Sequence, residues 1–468
     1  MKSTISSMAK EESKLHIAMF PWLAFGHMTP FLELAKLIAQ KGHRISFMST
    51  PRNIDRLPKL PPTLTPFINF VKLPLPHTDN LPEDTQATTD LTPDKIPHLK
   101  NAHDRLQDSI SQFLQSSKPD WVVQDFSAYW LPEIARNLGI PSVFFSIYVA
   151  ASVAFSGPTL TSDDRTKPED FTVPPYWVPF PTKVRFHLYE VLTIYDNLTE
   201  ADGAVSVARS FEEVLRGVDA VAVRSCMEFE PQWLQLLQDL HQKPVFPVGV
   251  LAPRKYDGGE EDDDNDKWMP IKEWLDKQNA RSVVYIAFGS EAKVKQDELT
   301  EIAHGLELSG LPFFWVLRID GDSELPEGFE ERTKGHGVVC TTWAPQLKIL
   351  AHQSIGGFLT HSGFSSVVEA LKFAIPLVLF PITNDQGINA RLLEEKNIGF
   401  PIPRDKSDGS FTRQSVADSL RHVVVEEEGE SYRDKAKEMR LLFGDEHRQD
   451  RYVNDFLAHL LTHRRPKE

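Results

Sequence analysis

The sequence has little of what marks a secreted or membrane-spanning protein. It contains only two cysteines, Cys226 and Cys340, which are too few for a disulfide framework and fit a reducing compartment. No apolar run approaches the length of a transmembrane helix. The opening MKSTISSMAKEESK is polar and lacks the apolar stretch of a signal peptide. We therefore expect a cytoplasmic protein with no membrane span, in which residues 1–14 are disordered.

Positive charge is also scarce relative to negative charge. The formal net charge is −15 over 468 residues, which argues against nucleic acid as a partner. Part of that excess is local, because residues 257–266 are rich in aspartate and glutamate and contain no basic residue. The length predicts two or three domains, with room for large hydrophobic cores.

Pairs of aspartates separated by one residue could bind a divalent cation. Asp262, Asp264 and Asp266 fall in the hydrophilic acidic run, which we interpret as a solvated linker. Asp320 and Asp322 follow a predicted strand, but the glycine between them is typical of a surface turn. We therefore expect no metal site.

The most informative stretch is residues 343–386, WAPQLKILAHQSIGGFLTHSGFSSVVEALKFAIPLVLFPITNDQ. The apolar run 355–359 predicts a short buried strand, which ends just before His361. Ser365 and Ser366 then stand where a helical pattern begins. The unpaired backbone N–H groups and the dipole of a helix start favour an anion, so this turn predicts a diphosphate site.

Other side chains in this stretch suit a nucleotide joined to a sugar. Trp343 ends a predicted strand, where its ring can stack on a planar base. Glu369 lies about one turn into the helix and can accept hydrogen bonds from ribose hydroxyls. Asp385 and Gln386 follow the predicted strand 377–380 and carry groups suited to sugar hydroxyls.

The first half of the chain opens with a strand–helix–strand pattern. Residues 15–21 and 44–49 predict strands, and residues 31–41 predict the helix between them. Gly26 is the only glycine where a dinucleotide-binding fingerprint would need three. This argues against an NAD-dependent oxidoreductase.

Two polar residues of the first half are expected at one edge of its sheet. His27 follows the first strand, and Asp125 ends the predicted strand 119–125. The carboxyl ends of parallel strands are where ligands bind, and a carboxylate there can orient an imidazole as a general base. The alternative interpretations are a capping or surface histidine and an N-cap aspartate, the commoner role of a lone aspartate before a helix.

Residues 343–386 resemble the signature box of plant family 1 UDP-dependent glycosyltransferases. The WAPQ opening, the His-x-Gly-aromatic-x-Ser core, the glutamate after it and the closing Asp-Gln match at the family's spacing. The Gly-His-x-x-Pro segment at His27 and the Asp-x-x-x-x-Trp segment at Asp125 resemble its catalytic residues. The resemblance extends through the whole chain. It implies an α/β protein of two doubly wound, Rossmann-like domains facing across a cleft, the GT-B fold.

The resemblance also implies a role for individual residues. His27, assisted by Asp125, would be the catalytic base for the acceptor hydroxyl. The residues that would bind UDP are Gly26, Ser290, Trp343, Ala344, Gln346, His361, Gly363, Ser365, Ser366 and Glu369. The residues that would contact the donor sugar are Ser146, Phe364, Asp385 and Gln386.

The signature box departs from the family's pattern at its centre. Where relatives usually have Cys-Gly-Trp-Asn-Ser, this chain has Ser-Gly-Phe-Ser-Ser at residues 362–366. Phe364 lacks an indole N–H near the sugar, and Ser365 has a shorter arm than asparagine, so rhamnose and xylose stay open beside glucose as the donor sugar. The serine-rich version resembles the subgroup that adds sugars to sugars already attached to small molecules.

Five segments are expected from these patterns. Residues 15–250 form the acceptor-binding domain after the disordered start, residues 251–267 an acidic linker, and residues 268–444 the UDP-sugar-binding domain. Residues 445–468 form a helix that returns to the first domain.

The expected function is inverting transfer of a sugar, glucose by resemblance, from a UDP-sugar to a hydroxyl of a small-molecule natural product. A sugar hydroxyl of a flavonoid or terpenoid glycoside is favoured, and an aglycone hydroxyl stays open. A non-catalytic UDP-sugar-binding protein is the alternative from another class. We expect no cofactor apart from the UDP-sugar co-substrate, and a monomer.

Overall fold

The computed structural model describes residues 14–158, 165–198, 205–254, 265–318 and 324–464. The predicted disordered start, apart from its last residue, and most of the predicted acidic linker lie outside these ranges. The same holds for Asp262, Asp264, Asp320 and Asp322.

The chain divides into two compact units. One unit comprises Met1–Ser162, Asp196–Glu261 and Glu446–Glu468, and the other comprises Asp163–Tyr195 and Asp262–Asp445. Each unit contains one sheet of parallel strands with helices between the strands. The predicted class, α/β with two doubly wound sheets, is therefore confirmed.

In the described part of the first unit, seven strands form the sheet. They are β1 (His16–Phe20), β2 (Arg44–Ser49), β3 (Ile68–Lys72), β4 (Trp121–Gln124), β5 (Ser142–Ser146), β6 (Ala220–Val223) and β7 (Val245–Pro247). Their spatial order is β3-β2-β1-β4-β5-β6-β7. The order reverses between β1 and β4, where Phe20 is aligned with Gln124. Such a reversal creates a crevice at the carboxyl ends of the strands, where ligands of doubly wound sheets bind.

The described part of the second unit repeats this plan with six strands. They are β8 (Val283–Ala287), β9 (Phe313–Val316), β10 (Gly337–Cys340), β11 (Ile355–Thr360), β12 (Leu377–Leu379) and β13 (Gly399–Pro401). Their order is β10-β9-β8-β11-β12-β13. Here the reversal falls between β8 and β11, with Ala287 aligned with Thr360.

The helices that cover and connect these strands are given in chain order. They are α1 (Phe25–Gln40), α2 (Pro51–Arg56), α3 (Ile96–Asp104), α4 (Gln107–Ser117), α5 (Leu131–Asn137), α6 (Ala150–Ser156), α7 (Leu188–Leu198), α8 (Val207–Gly217), α9 (Pro231–His241), α10 (Asn265–Leu275), α11 (Gln296–Ser309), α12 (Phe329–Arg332), α13 (Gln346–Leu350), α14 (Phe364–Lys372), α15 (Gln386–Glu395), α16 (Arg413–Val424), α17 (Glu430–Phe443) and α18 (Glu446–Thr462).

The central strands read as nearly continuous apolar runs because helices cover both faces of a parallel sheet. Strand β4 has the sequence WVVQ and strand β8 the sequence VVYIA, and both are buried at every residue. The polar residues that follow these strands therefore mark where each strand leaves the core.

The last helix, α18, belongs to the core of the first unit. Val453, Phe456 and Leu460 are fully buried in the same apolar cluster as Ile17 of β1. Burying one such side chain is worth about 1.5–3 kcal/mol. In addition, Trp121 Nε1 donates a hydrogen bond of 2.9 Å to the carbonyl oxygen of Leu460. Helix α18, which falls within the predicted segment 445–468, thus packs on the first sheet.

One segment groups differently from the sequence-based boundaries. Residues 15–250 are predicted as one domain, yet Asp163–Tyr195 packs with the second unit. The physical reason is a buried ion pair in which Arg391 Nη2 lies 2.7 Å from Glu190 Oε1. The amino-acid pattern of this Pro-rich segment carries no sign of that partner, because the two charged residues are far apart in the chain.

Candidate active site

His27 lies at the strand-order reversal of the first sheet, in the first turn of α1. The helix begins at Phe25 rather than at the predicted residue 31, and it contains Pro30. The side chain of His27 is buried against the loop that follows β4. Its Nδ1 lies 2.7 Å from Oδ2 of Asp125, the residue directly after β4. The structure therefore brings the two predicted catalytic residues together.

Asp125 is fully buried and is held by the backbone. Its Oδ2 also accepts a hydrogen bond of 3.0 Å from the Trp22 amide, and its Oδ1 accepts one of 2.8 Å from the Phe126 amide. A carboxylate can only accept hydrogen bonds, so the proton of the His27 ring must lie on Nδ1. The lone pair of the ring is then on Nε2, which is the nitrogen that a general base uses.

Three further residues surround this pair. Tyr148, just beyond β5, places its hydroxyl 3.3 Å from His27 Nε2. Ser146, predicted as a donor-sugar contact, is fully buried, and its hydroxyl donates to the Tyr148 carbonyl at 3.1 Å. Gly26 is exposed, and a methyl group at this position would meet no atom within 4 Å. There is thus room for a ligand next to His27 at Gly26, whereas the hydroxyl hydrogen of Ser146 is already used.

His361 lies at the corresponding reversal of the second sheet, directly after β11. Its ring is packed between two glycines. A Cβ at Gly289 would lie 2.7 Å from His361 Nε2, and a Cβ at Gly363 would lie 2.4 Å from the same atom. Real Cβ atoms do not approach a ring nitrogen this closely, so both positions require glycine to keep the imidazole in place. Ser290 follows Gly289 and is exposed.

The surroundings of His361 keep it uncharged. Burial lowers the pKa of the imidazole to about 4, partly offset by a hydrogen bond to the Ala287 backbone. Its Nδ1 is buried and has no hydrogen-bond partner among the described residues. At neutral pH this ring is therefore uncharged, so a contact between it and a phosphate oxygen would be a hydrogen bond and not a salt bridge.

Helix α14 begins next to this imidazole. Gly363 is its N-cap residue, and in the described part of the chain no side chain caps the helix there. The start of the helix consequently offers backbone N–H groups and the positive end of its dipole to an anion. Ser365 is partly buried in the first turn, and Ser366 is buried with its hydroxyl accepting from Gln346 Nε2 at 3.3 Å.

The predicted ribose contacts form a hydrogen-bonded set. Gln346 Nε2 donates to Glu369 Oε2 at 2.7 Å, and the buried Tyr285 hydroxyl donates to Gln346 Oε1 at 3.1 Å. Burial, followed by the charge of Glu369, raises the pKa of Tyr285 well above its ordinary value, so the phenol remains a donor. Gln346 and Glu369 are thereby fixed as a pair.

The predicted base contacts lie in the loop between β10 and α13. Trp343 is 52% exposed, which is unusual for a tryptophan and leaves aromatic surface available for stacking. Lys267 Nζ lies 5.6 Å from the centre of its ring. Ala344 is buried beside it, so only its backbone is suited to contact a base.

The predicted donor-sugar residues of the second unit gather around the start of α15. Asp385 is its N-cap residue, and Gln386 Oε1 accepts from the Ile382 and Thr383 amides at 2.9 and 3.0 Å. The predicted contact of Gln386 with a donor sugar would therefore be made by its amide nitrogen. Phe364 is only 5% exposed, so its ring offers little surface to a ligand.

Asn389 links the turn at Ser362, where a diphosphate is predicted, with the predicted donor-sugar residue Asp385. Its Nδ2 donates to the carbonyl oxygen of Ser362 at 3.1 Å and to Asp385 Oδ2 at 2.8 Å. Ser362 has φ of 70°, a left-handed conformation that costs a residue with a Cβ some strain. The amide of Asn389 thus supports a strained turn and orients the predicted sugar contact at once.

Tyr148, Tyr285 and Asn389 contact predicted site residues, and sequence reasoning missed all three. Tyr148 could have been found, because it follows a parallel strand by the same rule that selects Asp125. Asn389 lies one helical turn after Asp385, a spacing that places both side chains on one face. Tyr285 lies inside a buried strand, where the sequence offers no sign that its hydroxyl reaches Gln346.

Comparisons with known proteins identify the family. The family model described as UDP-glucoronosyl and UDP-glucosyl transferase matches residues 105–448. UDP-glycosyltransferase 91A1 of Arabidopsis thaliana is 54% identical over 462 residues, covering 97% of this chain and 98% of that protein. The chain belongs to this transferase family.

Two further relatives in the family have names that state more of their reactions. Soyasaponin III rhamnosyltransferase of Glycine max is 44% identical, with 100% of this chain and 99% of that protein covered. Anthocyanidin-3-O-glucoside rhamnosyltransferase of Petunia hybrida is 32% identical, with 97% of each chain covered.

A solved structure of the family shows the same fold. The Glycyrrhiza uralensis enzyme complexed with glycyrrhetinic acid 3-O-monoglucuronide has a TM-score of 0.76 and 22% sequence identity, and 96% of each chain is covered. This likeness confirms the predicted GT-B fold.

Membership of the family establishes the type of reaction. The protein is a UDP-dependent glycosyltransferase that acts on small molecules, with a UDP-sugar as its co-substrate and no metal requirement. Among the helices that the structure describes, none is long and apolar enough to cross a bilayer.

Proposed function

We propose that the protein transfers glucose from UDP-glucose to a sugar hydroxyl of a flavonoid or terpenoid glycoside, with inversion at the anomeric carbon. The observation that carries the chemistry is the buried pair of His27 and Asp125, 2.7 Å apart, which places the ring proton on Nδ1 and the lone pair on Nε2. The base removes the proton of the acceptor hydroxyl, and the oxygen then attacks the anomeric carbon from the face opposite UDP. The C–O bond to UDP breaks, and UDP leaves with the electron pair.

Residues of the second unit are proposed to stabilise the leaving group. Negative charge grows on the diphosphate as the bond to the sugar breaks, and donors aimed at this charge lower the barrier. The start of α14, the neutral imidazole of His361 and the hydroxyls of Ser365 and Ser366 are the donors proposed for this role. Trp343 is proposed to stack on uracil, and Gln346 with Glu369 to bind ribose.

A glycoside acceptor is supported by two separate observations. The serine-rich sequence at residues 362–366 resembles that of the transferases that add a sugar to a sugar already attached to a small molecule. In addition, the Petunia hybrida relative is by its name an enzyme that acts on a glucoside. The second candidate function replaces glucose by rhamnose, because the Glycine max and Petunia hybrida relatives are both named rhamnosyltransferases.

The test is product formation by purified protein with an aglycone and its monoglucoside side by side. UDP-glucose and UDP-rhamnose are offered separately, without added metal, and products are identified by mass. A gain on the monoglucoside alone supports the proposal, and the mass difference identifies the donor sugar. A gain on the aglycone alone makes the protein a first-sugar transferase.

The Asp125–His27 geometry also provides the control for this assay. His27→Ala must abolish product while UDP still binds, because general bases contribute about 10²–10⁴-fold to rate. Product from neither acceptor with either UDP-sugar, despite tight UDP binding, would overturn the proposed acceptor and donor. We further propose that the protein acts in the cytoplasm as a monomer, which sedimentation and imaging of a tagged chain would check.

A further inference from the structure

Tyr148 places a phenol directly on the proposed catalytic nitrogen. Its hydroxyl oxygen lies 3.3 Å from His27 Nε2, and the two rings meet edge to face with their centres 5.4 Å apart. None of the sequence patterns that identify His27 or Asp125 includes this residue. The hydroxyl of Tyr148 therefore occupies the position that an acceptor hydroxyl must reach to be deprotonated.

The direction of this hydrogen bond follows from the other side of the imidazole. Asp125 Oδ2 lies 2.7 Å from Nδ1, so that nitrogen carries the ring proton. Nε2 then has only a lone pair, and the phenol must be the donor. Before an acceptor binds, the lone pair of the base is therefore occupied by the hydroxyl of Tyr148.

The position of Tyr148 is built by the residues around it. Strand β5 ends at Ser146, and the buried hydroxyl of Ser146 donates to the Tyr148 carbonyl at 3.1 Å. The Tyr148 ring lies 5.6 Å from the ring of Phe211 and 6.1 Å from that of Phe126, measured between centres. A side chain fixed at its backbone and on its ring points its hydroxyl in a defined direction.

Water is the competitor that such a hydroxyl would exclude. A water molecule that donated to Nε2 would be activated as an acceptor hydroxyl is. It would pass a proton to Nε2, and its oxygen would bond to the anomeric carbon. The bond from that carbon to UDP would break, so the products would be free sugar and UDP. An enzyme that holds a UDP-sugar without an acceptor must suppress this reaction.

We propose that Tyr148 caps His27 Nε2 until an acceptor hydroxyl displaces it, and so limits hydrolysis of the UDP-sugar. The proposal rests on the proposed role of His27 as the base. It makes Tyr148 a positioning residue that sets the ratio of transfer to hydrolysis. A phenol donates one hydrogen bond to Nε2, and an acceptor hydroxyl replaces it with another, so productive binding loses little.

The experiment measures UDP release from the UDP-sugar without acceptor, for the wild type and Tyr148→Phe. The ring of phenylalanine keeps the contacts with Phe126 and Phe211, while water gains access to Nε2. A typical hydrogen bond is worth about 0.5–1.5 kcal/mol, so we expect hydrolysis to rise roughly 2–10-fold. The rate of transfer at saturating acceptor is expected to change less, and the affinity for UDP not at all.

Two control variants separate this role from a structural one. Tyr452→Phe removes a phenol hydroxyl of the same unit that donates to Glu228 at 2.7 Å, and it should leave hydrolysis unchanged. His27→Ala combined with Tyr148→Phe should show no more hydrolysis than His27→Ala alone, because the added hydrolysis needs the base.

The outcomes distinguish the proposal from the function on which it rests. If His27→Ala still transfers sugar, the proposed base is wrong and Tyr148 loses its role with it. If His27→Ala is inactive while hydrolysis by Tyr148→Phe equals that of the wild type, only the role of Tyr148 is overturned. Equal hydrolysis gains in Tyr148→Phe and Tyr452→Phe would also overturn it.

Discussion

Each unit presents one histidine where its strand order reverses, and the two residues have opposite surroundings. In the first unit, Nδ1 of His27 lies 2.7 Å from Oδ2 of Asp125. His361 of the second unit is packed between Gly289 and Gly363, with an Nδ1 that lacks a partner among the described residues. The same place in the same type of sheet thus holds an imidazole paired with an acid in one unit and a desolvated imidazole in the other.

This difference assigns different chemistry to the two residues. A carboxylate fixes the ring proton and stabilises the imidazolium that forms when a base takes up a proton. Burial without an acid opposes that charge and lowers the pKa of His361 to about 4. We infer that the neighbouring residue, and not the position at the sheet edge, distinguishes the proposed base from the proposed neutral hydrogen-bonding group.

The largest expected effect comes from replacing the base. His27→Ala should lower the rate of transfer by about 10²–10⁴-fold, the usual contribution of a positioned general base. Binding of UDP, measured by calorimetry, should change by less than about twofold, because all of the predicted UDP contacts except Gly26 lie in the second unit. His361→Ala is the matched variant, and it should weaken UDP binding. Loss of UDP binding in His27→Ala with normal binding in His361→Ala would reverse the assignment.

The next-largest effect is expected from disturbing the packing of Gly363 against the His361 ring. In Gly363→Ala the new Cβ would lie 2.4 Å from Nε2, so the ring must move out of place. Losing a hydrogen bond to a charged group costs about 1.5–3 kcal/mol, which predicts roughly 10–100-fold weaker binding of UDP-glucose. Combining Gly363→Ala with His361→Ala removes the clash, so the double variant should bind no worse than His361→Ala. An affinity of Gly363→Ala equal to that of the wild type would show that the ring position does not matter.

A smaller effect is expected at Asn389, which belongs only to the second unit. Asn389→Ala removes the donor shared by the Ser362 carbonyl and Asp385 Oδ2. At about 0.5–1.5 kcal/mol for a hydrogen bond, the KM for the UDP-sugar should rise roughly 2–10-fold, with the KM for the acceptor unchanged. Gln414→Ala, which removes an exposed amide on α16, serves as the control. An equal rise in both KM values would indicate general damage instead.

The smallest effect concerns pH and tests the charge of His361 without mutation. The lowered pKa of His361, about 4, means that its ring is neutral both at pH 8 and at pH 6. The diphosphate of UDP-glucose does not titrate in this range either. Affinity for UDP-glucose should therefore change less than about twofold between these pH values. A rise of several-fold as pH falls through 6.5 would show instead that an imidazolium binds the diphosphate.

The fold could be predicted from the sequence because the patterns that indicate strands and helices are local. The alternation of apolar strands and helices predicts the two parallel sheets, and residues directly after a strand are expected at its carboxyl edge. This rule selects His27 and Asp125 and the turn at His361, and the structure brings the first two together. The signature box identifies the family with one continuous stretch.

Contacts between residues far apart in the chain could not be predicted from the sequence. The hydroxyl of Tyr285 meets Gln346, and Glu190 pairs with Arg391, yet neither pairing leaves a pattern along the chain. Burial also redirects polar groups that residue type alone would assign to a ligand. The hydroxyl of Ser146 is the example, since it donates to the Tyr148 carbonyl.

The most direct test of the central claim is a double-mutant cycle on His27 and Asp125. The two side chains are proposed to act as one base, so removing the second after the first should cost little. We predict that His27→Ala with Asp125→Ala transfers sugar at a rate within about threefold of His27→Ala alone, with UDP binding kept in all variants. Multiplication of the two single losses in the double variant would contradict this account, because it would show that the residues act independently.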